Sequence, residues 1–523
     1  MAGRSLGRAA AVVAGFYVLS NITGFIARLL INARFGAGAA QDAFRAAFVI
    51  PDLLFNVLAG GALASAFIPV YVARMSKGEA AVAWRLARSV GFIVCALLAC
   101  LALLAAWFAQ PLIQNVVARQ FDADQVALTA SLMRVMLIAT VVFGASGLFM
   151  GLLQANGHFL APAVAPSLYQ LGMIIGATAL SAYGIHGLAL GVVCGALMHL
   201  GIQLPDLWRI ARASEQASND APAEIGADLR QVFTLMPPRV LGLGAVQLNN
   251  LVNTALASGF RGGVSAFNNA FAILVLPIAA IGQAIGTVIF PAISAHAARG
   301  EQEQFARAFV RAMNGVIALS LPAAAGLIVL GEPLIRLLFE RGAFDAQATG
   351  WVAFALGWLA LGLPAHAALE LVTRAFYALK DSLRPALAAA LSVGLNIAMS
   401  IAFYRAFEAL GWLPFGGLGL ANALATTVET GVLYAVLTKR APQIAIRPVI
   451  TALRTAGLAT LAMALVLRGW LILAGDGAAA TLAAVVLGVG AYFGAALLLR
   501  SEEALLALGA LRRSIAAQAQ RLI

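Results

Sequence analysis

The chain has 523 residues, of which 62% are hydrophobic and only 11% are charged, and its mean hydropathy is +0.92. A soluble globular chain carries roughly a quarter charged residues, so this composition excludes a soluble protein and indicates an integral membrane protein. The formal net charge of +12 does not indicate nucleic-acid binding, because the basic residues lie in short connections between apolar runs, where membrane topology explains them.

Apolar runs of about 20 residues recur along the chain, and each is long enough to cross a hydrocarbon core of about 30 Å as a helix. Helices satisfy their own backbone hydrogen bonds in lipid, so the predicted fold class is an all-α polytopic membrane protein. Proline, glycine and charge punctuate the runs and predict about fourteen spans. In chain order they are 10–33, 43–73, 84–109, 126–153, 160–182, 187–208, 231–258, 264–296, 305–330, 347–377, 385–405, 415–438, 450–473 and 478–500.

The first run follows a basic start like that of a signal peptide. No polar segment follows its small residues, so we interpret it as an uncleaved first helix. Most lysine and arginine residues fall in one alternate set of connections, which includes both ends of the chain. The positive-inside rule therefore predicts a multi-pass protein of the cytoplasmic (inner) membrane with both termini in the cytoplasm.

The chain repeats itself at an offset of 222 to 230 residues. The segment FIPVYVARMSKGE from Phe67 resembles IFPAISAHAARGE from Ile289, with Pro69 opposite Pro291. Such repeats are typical of transporters with two six-helix lobes around a central cavity. The predicted domains are an N-lobe at 1–210, a cytoplasmic linker at 211–230, a C-lobe at 231–440, two extra spans at 441–500 and an amphipathic cytoplasmic helix at 501–523.

Several motifs, taken in order and spacing, resemble the MurJ (MviN) lipid II flippase family of the multidrug, oligosaccharidyl-lipid and polysaccharide exporter superfamily. They are FGAG from Phe35 with DAF at Asp42, IPDLL around Pro51, GGALASAFIPVY from Gly60, LFERGAFDA from Leu338 and RAFYALKDSLRP from Arg374.

This resemblance covers nearly the whole chain. It implies that lipid II, a polyprenyl-pyrophosphate-linked glycan, moves from the cytoplasmic to the periplasmic leaflet by alternating access, without covalent chemistry. The implied partners are that substrate and the lipid bilayer. We expect a monomer with no enzyme activity, no cofactor and no nucleic-acid partner.

The sequence departs from the family pattern at its cavity arginines. Members usually carry them on the first, second and eighth helices, where a guanidinium fork suits a pyrophosphate. Here Asn21, Ala27, Phe55 and Ala272 stand in those places, and Gly60 replaces a usual acidic residue. Three functions therefore stay open besides lipid II transport: transport of another polyprenyl-linked saccharide, a non-transporting scaffold in cell-envelope synthesis and, more weakly, drug efflux.

Charges inside the early spans are the first candidates for a substrate site. An unpaired charge within a span costs at least a few kcal/mol, so Arg28 must face a cavity or an acidic partner such as Asp42 or Asp52. Arg45 and Asp52 are seven residues apart, on one helix face, and predict either a structural pair or a cation site. In the resemblance, Asp42 and Ser265 match positions that are important in the family.

Glu370 and Arg374 are four residues apart in the favourable acid-before-base order. A proton- or cation-linked role and an intrahelical salt bridge both fit this pair, and Glu429 has the same ambiguity. The sodium site of some family members would correspond to Asn253, Asn396 and Ser400. These residues carry no carboxylate, so only a weak cation site is expected there, and dependence on membrane potential or a coupling cation stays open. The cysteines and histidines lack metal-ligand spacing, and no catalytic constellation is present.

Overall fold

The computed structural model describes residues 2–59, 61–216 and 225–505. These residues form helices and turns, with one isolated bridge between Arg341 and Phe344. The predicted all-α fold class is therefore confirmed. The predicted amphipathic helix at 501–523 lies mostly outside the described residues, as does the middle of the predicted linker at 211–230.

The chain divides into two compact units, Met1–Ser265 with Arg341–Asp345, and Ala266–Glu340 with Ala346–Ile523. The predicted lobe boundaries stay a prediction. Helices of the first unit are α1 (Ala2–Phe35), α2 (Ala39–Ala47), α3 (Val49–Leu54), α4 (Gly61–Ser76), α5 (Ala80–Trp107), α6 (Ala109–Leu112), α7 (Ala123–Ala155), α8 (Leu160–Ala177), α9 (Ile185–Gly201), α10 (Leu204–Gln216), α11 (Gly226–Leu235) and α12 (Pro237–Ala257).

A further nine helices follow in the described part of the chain, and the first of them begins in the first unit. They are α13 (Gly263–Ile278), α14 (Ala284–Ala298), α15 (Gln302–Phe339), α16 (Ala346–Ala360), α17 (Leu363–Ala378), α18 (Leu383–Ala409), α19 (Gly416–Arg440), α20 (Ile446–Ala474) and α21 (Ala478–Leu498).

Ten helical segments of the described chain are long and apolar enough to cross a membrane, or eleven if α16 and α17, which meet at 47°, form one bent span. The predicted count of fourteen is not confirmed. The second predicted span, 43–73, is broken into α2, α3, a π-helical turn at Phe55–Ala59 and α4. The seventh, 231–258, is split between α11 and α12 at Met236 and Pro237, and α12 is rich in amide side chains.

Large apolar side chains fill the core of each unit. In the first, Phe67 and Tyr71 of α4 pack with Leu86 of α5 and Leu152 of α7. Helices α8 and α9 approach through glycines, because a Cβ on Gly172 would collide with the backbone of α9. Close backbone packing of this kind replaces the hydrophobic driving force that lipid removes.

In the second unit, Phe305 and Phe309 of α15 pack with Leu371 of α17 and Leu437 of α19. Helix α20 packs between α15 and α21. The Tyr492 hydroxyl of α21 donates to the carbonyl oxygen of Ala318 in α15 at 2.5 Å. The last two spans are therefore built onto α15.

The internal repeat is visible in the backbone. π-Helical turns interrupt the second and the eighth predicted spans, at Phe55–Ala59 and Ala279–Gln283. Four positions in the left-handed region recur 222 to 227 residues later, at the ends of corresponding helices. These pairs are Gly36 and Gly262, Gly78 and Gly300, Gly157 and Lys380, and Gly184 and Gly411.

The repeat extends to ion pairs after the second and eighth spans. Arg74 Nη1 lies 2.7 Å from Glu79 Oε2, and Arg74 Nε lies 2.8 Å from Asp228 Oδ2 on α11. At the same offset, His296 Nδ1 lies 2.6 Å from Glu301 Oε2. In the first unit, the arginine thus ties α11 to the end of α4.

The short segment Arg341–Asp345 belongs to the first unit although it follows α15. The backbone N–H of Ala343 donates to the carbonyl oxygen of Ala33 in α1 at 2.7 Å. Gly36 and Gly342 have φ of +64° and +63°. A Cβ on Gly36 would collide with the carbonyl oxygen of Ala343, and a Cβ on Gly342 with that of Ala33. Glycine is required at both positions by conformation and by space.

Candidate functional site

The first unit brings Arg28, Arg45 and Asp52 together, and we call these three residues the arginine cluster. Arg28 of α1 and Arg45 of α2 are near enough for their charges to repel, and Asp52 of α3 attracts Arg45. Both arginines are partly exposed, and the Asp52 carboxylate is exposed. Two cations against one anion leave the cluster with a net positive charge, which attracts an anion.

Arg45 is the arginine with spare hydrogen-bonding capacity. Its Nε atom is buried and has no hydrogen-bond partner among the described residues. No salt bridge within 4.0 Å joins it to Asp52 in this part of the chain, so the sequence-predicted pair is an electrostatic neighbour rather than a closed ion pair. A buried donor without a partner is costly, and an oxygen of an anionic ligand would satisfy it.

An aromatic wall, formed by Phe55, Phe143 and Tyr169, stands beside the cluster. Tyr169 of α8 interacts electrostatically with Arg45 and Asp52. Its ring centroid lies 5.0 Å from that of Phe143, which lies 5.9 Å from that of Phe55 in the π-helical turn. Tyr169 was not predicted from the sequence, because nothing in the pattern of α8 separates a site tyrosine from a packing one.

Helix α12 adds amide groups on another side of Asp52. Gln247 Nε2 lies 3.5 Å from the carbonyl oxygen of Asp52, and Asn250 Nδ2 donates to Gln247 Oε1 at 3.3 Å. Asn249 Oδ1 is buried and has no partner among the described residues. Amides on a membrane helix serve as contacts between helices or as a polar surface. Gln247 makes such a contact with α3, and the exposed Asn250 is placed for the second role.

Asp42 and Ser265 meet in the structure, but in a closed contact. The Asp42 carboxylate accepts the backbone N–H of Gly262 at 2.5 Å and that of Ser265 at 2.7 Å. The Ser265 hydroxyl donates to the carbonyl oxygen of Gly262 at 3.1 Å, and the Asp42 and Ser265 side chains are fully buried. Asp42 therefore caps the first turn of α13, where a carboxylate satisfies free N–H groups and the helix dipole.

Glu370 and Arg374 lie on α17 in the second unit. Arg374 Nη1 lies 2.6 Å from Glu370 Oε2, so the spacing forms the expected intrahelical salt bridge. Arg374 packs over Gly286, where a Cβ would come within 2.6 Å of Nη1. A cavity of about 320 Å³ beside this pair is lined by Glu370, Glu429 and His366, among others.

The residues of the weak cation site are divided between the two units. Asn396 and Ser400 share one face of α18, where Ser400 Oγ donates to Asn396 Oδ1 at 3.4 Å, and both side chains are buried. Asn253 is buried on α12 in the first unit. Among the described residues, no group of three or more His, Cys, Asp or Glu could hold a metal ion.

Comparison with known proteins identifies the family. Residues 31–486 match the family model described as lipid II flippase MurJ. The chain belongs to the MurJ family. A relative from Rhizobium tropici, named probable lipid II flippase MurJ, is 29% identical over 386 residues, which cover 71% of this chain and 71% of that protein. This MurJ family member is therefore a multi-pass protein of the inner membrane, in a family of transporters.

Solved structures share the MurJ fold. A lipid II flippase MurJ in an inward closed conformation matches with a TM-score of 0.76 at 22% identity, over 94% of this chain and 98% of that one. An inward-facing multidrug resistance MATE family transporter of the MOP superfamily matches with a TM-score of 0.65 at 15% identity, over 82% of this chain and 94% of that one. The resemblance to the family inferred from the motifs is confirmed, and these two structures show the fold that the chain shares with them.

Proposed function

We propose that this chain flips lipid II from the cytoplasmic to the periplasmic leaflet by alternating access, with the arginine cluster binding its pyrophosphate. Family membership supports the transport activity, and the buried, unpartnered Nε–H of Arg45 near Arg28 is the observation that carries the site. The usual cavity arginines are absent at Ala27 and Phe55 of the first unit, and the cluster offers replacement charge from other positions of that unit.

The physical task is to carry a pyrophosphate through a hydrocarbon layer. Desolvating an anion is costly unless cations and hydrogen-bond donors replace its water. Two guanidinium groups supply charge-assisted bonds, each worth about 1.5 to 3 kcal/mol. Asp52 and Tyr169 hold the position of Arg45, while the amides of α12 provide neutral donors for the sugar or peptide part.

Further properties belong to the same proposal. Both termini lie in the cytoplasm, as the distribution of basic residues indicates. The chain acts as a monomer without a cofactor, and membrane potential or a coupling cation drives the cycle. Reporter fusions at each end test the orientation, and the mass of the detergent-solubilised protein tests the monomer.

The decisive experiment uses this chain as the only flippase copy in a host depleted of its own. Growth of the wild type with loss in Arg28→Ala and Arg45→Ala supports the proposal. Loss of one charge-assisted bond should weaken binding about tenfold to more than a hundredfold. Arg34→Ala is the matched control, since Arg34 is an exposed arginine at the end of the same α1.

Other outcomes identify the alternatives. In one of them, the wild-type chain is well expressed and fails to rescue growth, and yet flips another polyprenyl-linked saccharide in vesicles. That result would identify the other saccharide, rather than lipid II, as the substrate. If the Arg28→Ala and Arg45→Ala variants restore envelope assembly as well as the wild type does, the chain is a scaffold.

A further inference from the structure

A cavity within the second unit lies between helices α17, α18 and α19. Its walls include Glu429, Glu370, His366, Thr373, Tyr377 and Pro385, and its volume is about 320 Å³. One water needs about 10 to 15 Å³ of such volume together with polar partners, so this cavity has room for several waters. The arginine cluster belongs to the first unit and uses none of these residues.

The cavity runs from helix ends to membrane depth. Tyr377 and Pro385 lie at the end of α17 and the start of α18, where a span meets the interface. Glu429 lies eleven residues before the end of α19 at Arg440, which corresponds to about 16 Å along a helix. The cavity lining thus extends from these helix ends to a carboxyl group well inside the length of α19.

Glu429 has no basic partner within 4.0 Å in the described chain. Its hydrogen-bonding neighbour is Ser392 on α18. Glu370 lies on the same cavity wall, but its charge is neutralised by Arg374 at 2.6 Å. Glu429 is therefore the carboxyl whose charge is not compensated by the protein.

The other titratable groups around Glu429 are occupied or distant. From α17, His366 Nε2 lies 2.9 Å from Asn422 Oδ1 and 3.3 Å from Thr426 Oγ1, both on α19. Helices α16 and α13 carry no charged residue. The charged residues of α18 lie in its first turn, at Arg384, and near its far end, at Arg405 and Glu408.

We propose that Glu429 is a proton-binding carboxyl that exchanges its proton with water in this cavity, and that this exchange is linked to the transport cycle. The link to transport rests on the proposed flippase function. Hydronium donates a proton to the carboxylate and leaves water, so no other bond changes. A proton fits this site better than a metal ion. Among the described residues, no three His, Cys, Asp or Glu side chains lie close enough together to hold a metal ion. A neutral carboxyl also avoids burying an unpaired charge.

The test is a pH titration of the purified full-length protein in lipid nanodiscs, followed by infrared difference spectroscopy of the carboxyl C=O band. Among the carboxyl bands of the chain, we expect one titrating component that disappears in Glu429→Gln and persists, shifted, in Glu429→Asp. Glu408→Gln is the matched control, since it removes an exposed glutamate from the far end of α18. Size-exclusion profiles establish that each variant is folded.

A band unchanged in folded Glu429→Gln overturns the proposal. A Glu429-dependent signal that follows NaCl at fixed pH, with choline chloride as the reference salt, replaces the proton with sodium. The spectra need no substrate, so they separate the two proposals. If Glu429 titrates but the chain does not flip lipid II in vesicles, the proton site is retained and the flippase function is rejected. If wild type and Glu429→Gln flip lipid II at the same rate, the link between the proton and transport is rejected.

Discussion

Replacing Asp42 by asparagine should destabilise the protein rather than weaken substrate binding. The carboxylate accepts two backbone N–H groups, from Gly262 at 2.5 Å and Ser265 at 2.7 Å, and is fully buried. Hydrogen bonds to a charged group contribute about 1.5 to 3 kcal/mol each. Asparagine keeps one acceptor oxygen and turns an amide N–H₂ toward the other donor, so we expect a loss of about 2 to 3 kcal/mol in the free energy of unfolding.

The assay is unfolding of the purified chain in mixed micelles by titration with SDS, with transport measured on the same preparation. Asp122→Asn is the control, because Asp122 caps α7 through one exposed hydrogen bond to the N–H of Gln125 at 2.8 Å. Its loss should cost only about 0.5 to 1 kcal/mol. If Asp42→Asn unfolds like the wild type and yet abolishes transport, the capping argument is refuted and Asp42 acts on the substrate.

Three further predictions concern the loops and the packing. The Arg299 guanidinium holds the pKa of Glu301 at about 2, below its usual 4.5. The stability contributed by ionised Glu301 is therefore complete above about pH 4.5 and is lost as the pH falls toward 2. Glu301→Gln should flatten that part of a plot of Tm against pH. Gly172→Val should cost at least about 1 to 3 kcal/mol through overpacking against α9, seen as a lower Tm. Arg74→Ala should release α11 by breaking its pair with Asp228, seen as faster proteolysis after α10.

Each of these has a matched control. Gly201→Val should lower the Tm far less, because no atom beyond its own helix backbone and chain neighbours lies within 4 Å of an added Cβ. Equal losses at both glycines would contradict overpacking as the cause. Glu303→Gln is the control for Glu301→Gln, because it also removes one carboxylate near the start of α15, from an exposed pair at 3.4 Å. The double exchange Arg74→Asp with Asp228→Arg should restore protection of α11, and a failure would show that the pair does not hold it.

Local patterns were sufficient for some features of this protein. Composition predicted an all-α membrane protein, because lipid leaves helices as the way to satisfy the backbone. The spacing of Glu370 and Arg374 predicted their salt bridge, since residues four apart share a helix face. The repeat was visible in the sequence because the same turns and helix ends recur.

Contacts between distant helices were beyond the sequence. Periodicity assigns a face to Asp42, but not the partner 220 residues away that this face meets. Tyr169 joins the arginine cluster for the same reason, through the packing of α8 rather than through any local signal. The break at Phe55–Ala59 was missed because a π-helical turn has the same apolar composition as the helix around it.

Because Arg341–Asp345 belongs to the first unit, the chain cannot be split after Ser265 into two self-contained fragments. A cut after Ser265 would separate the two repeats, but it would leave the first fragment without the loop whose Ala343 N–H binds Ala33. The carbonyl end of α1 would then lose a hydrogen bond, and the two glycines at 36 and 342 would lose the contact that requires them. The two fragments of a split protein should therefore fold into a stable protein only when both are expressed in the same cell.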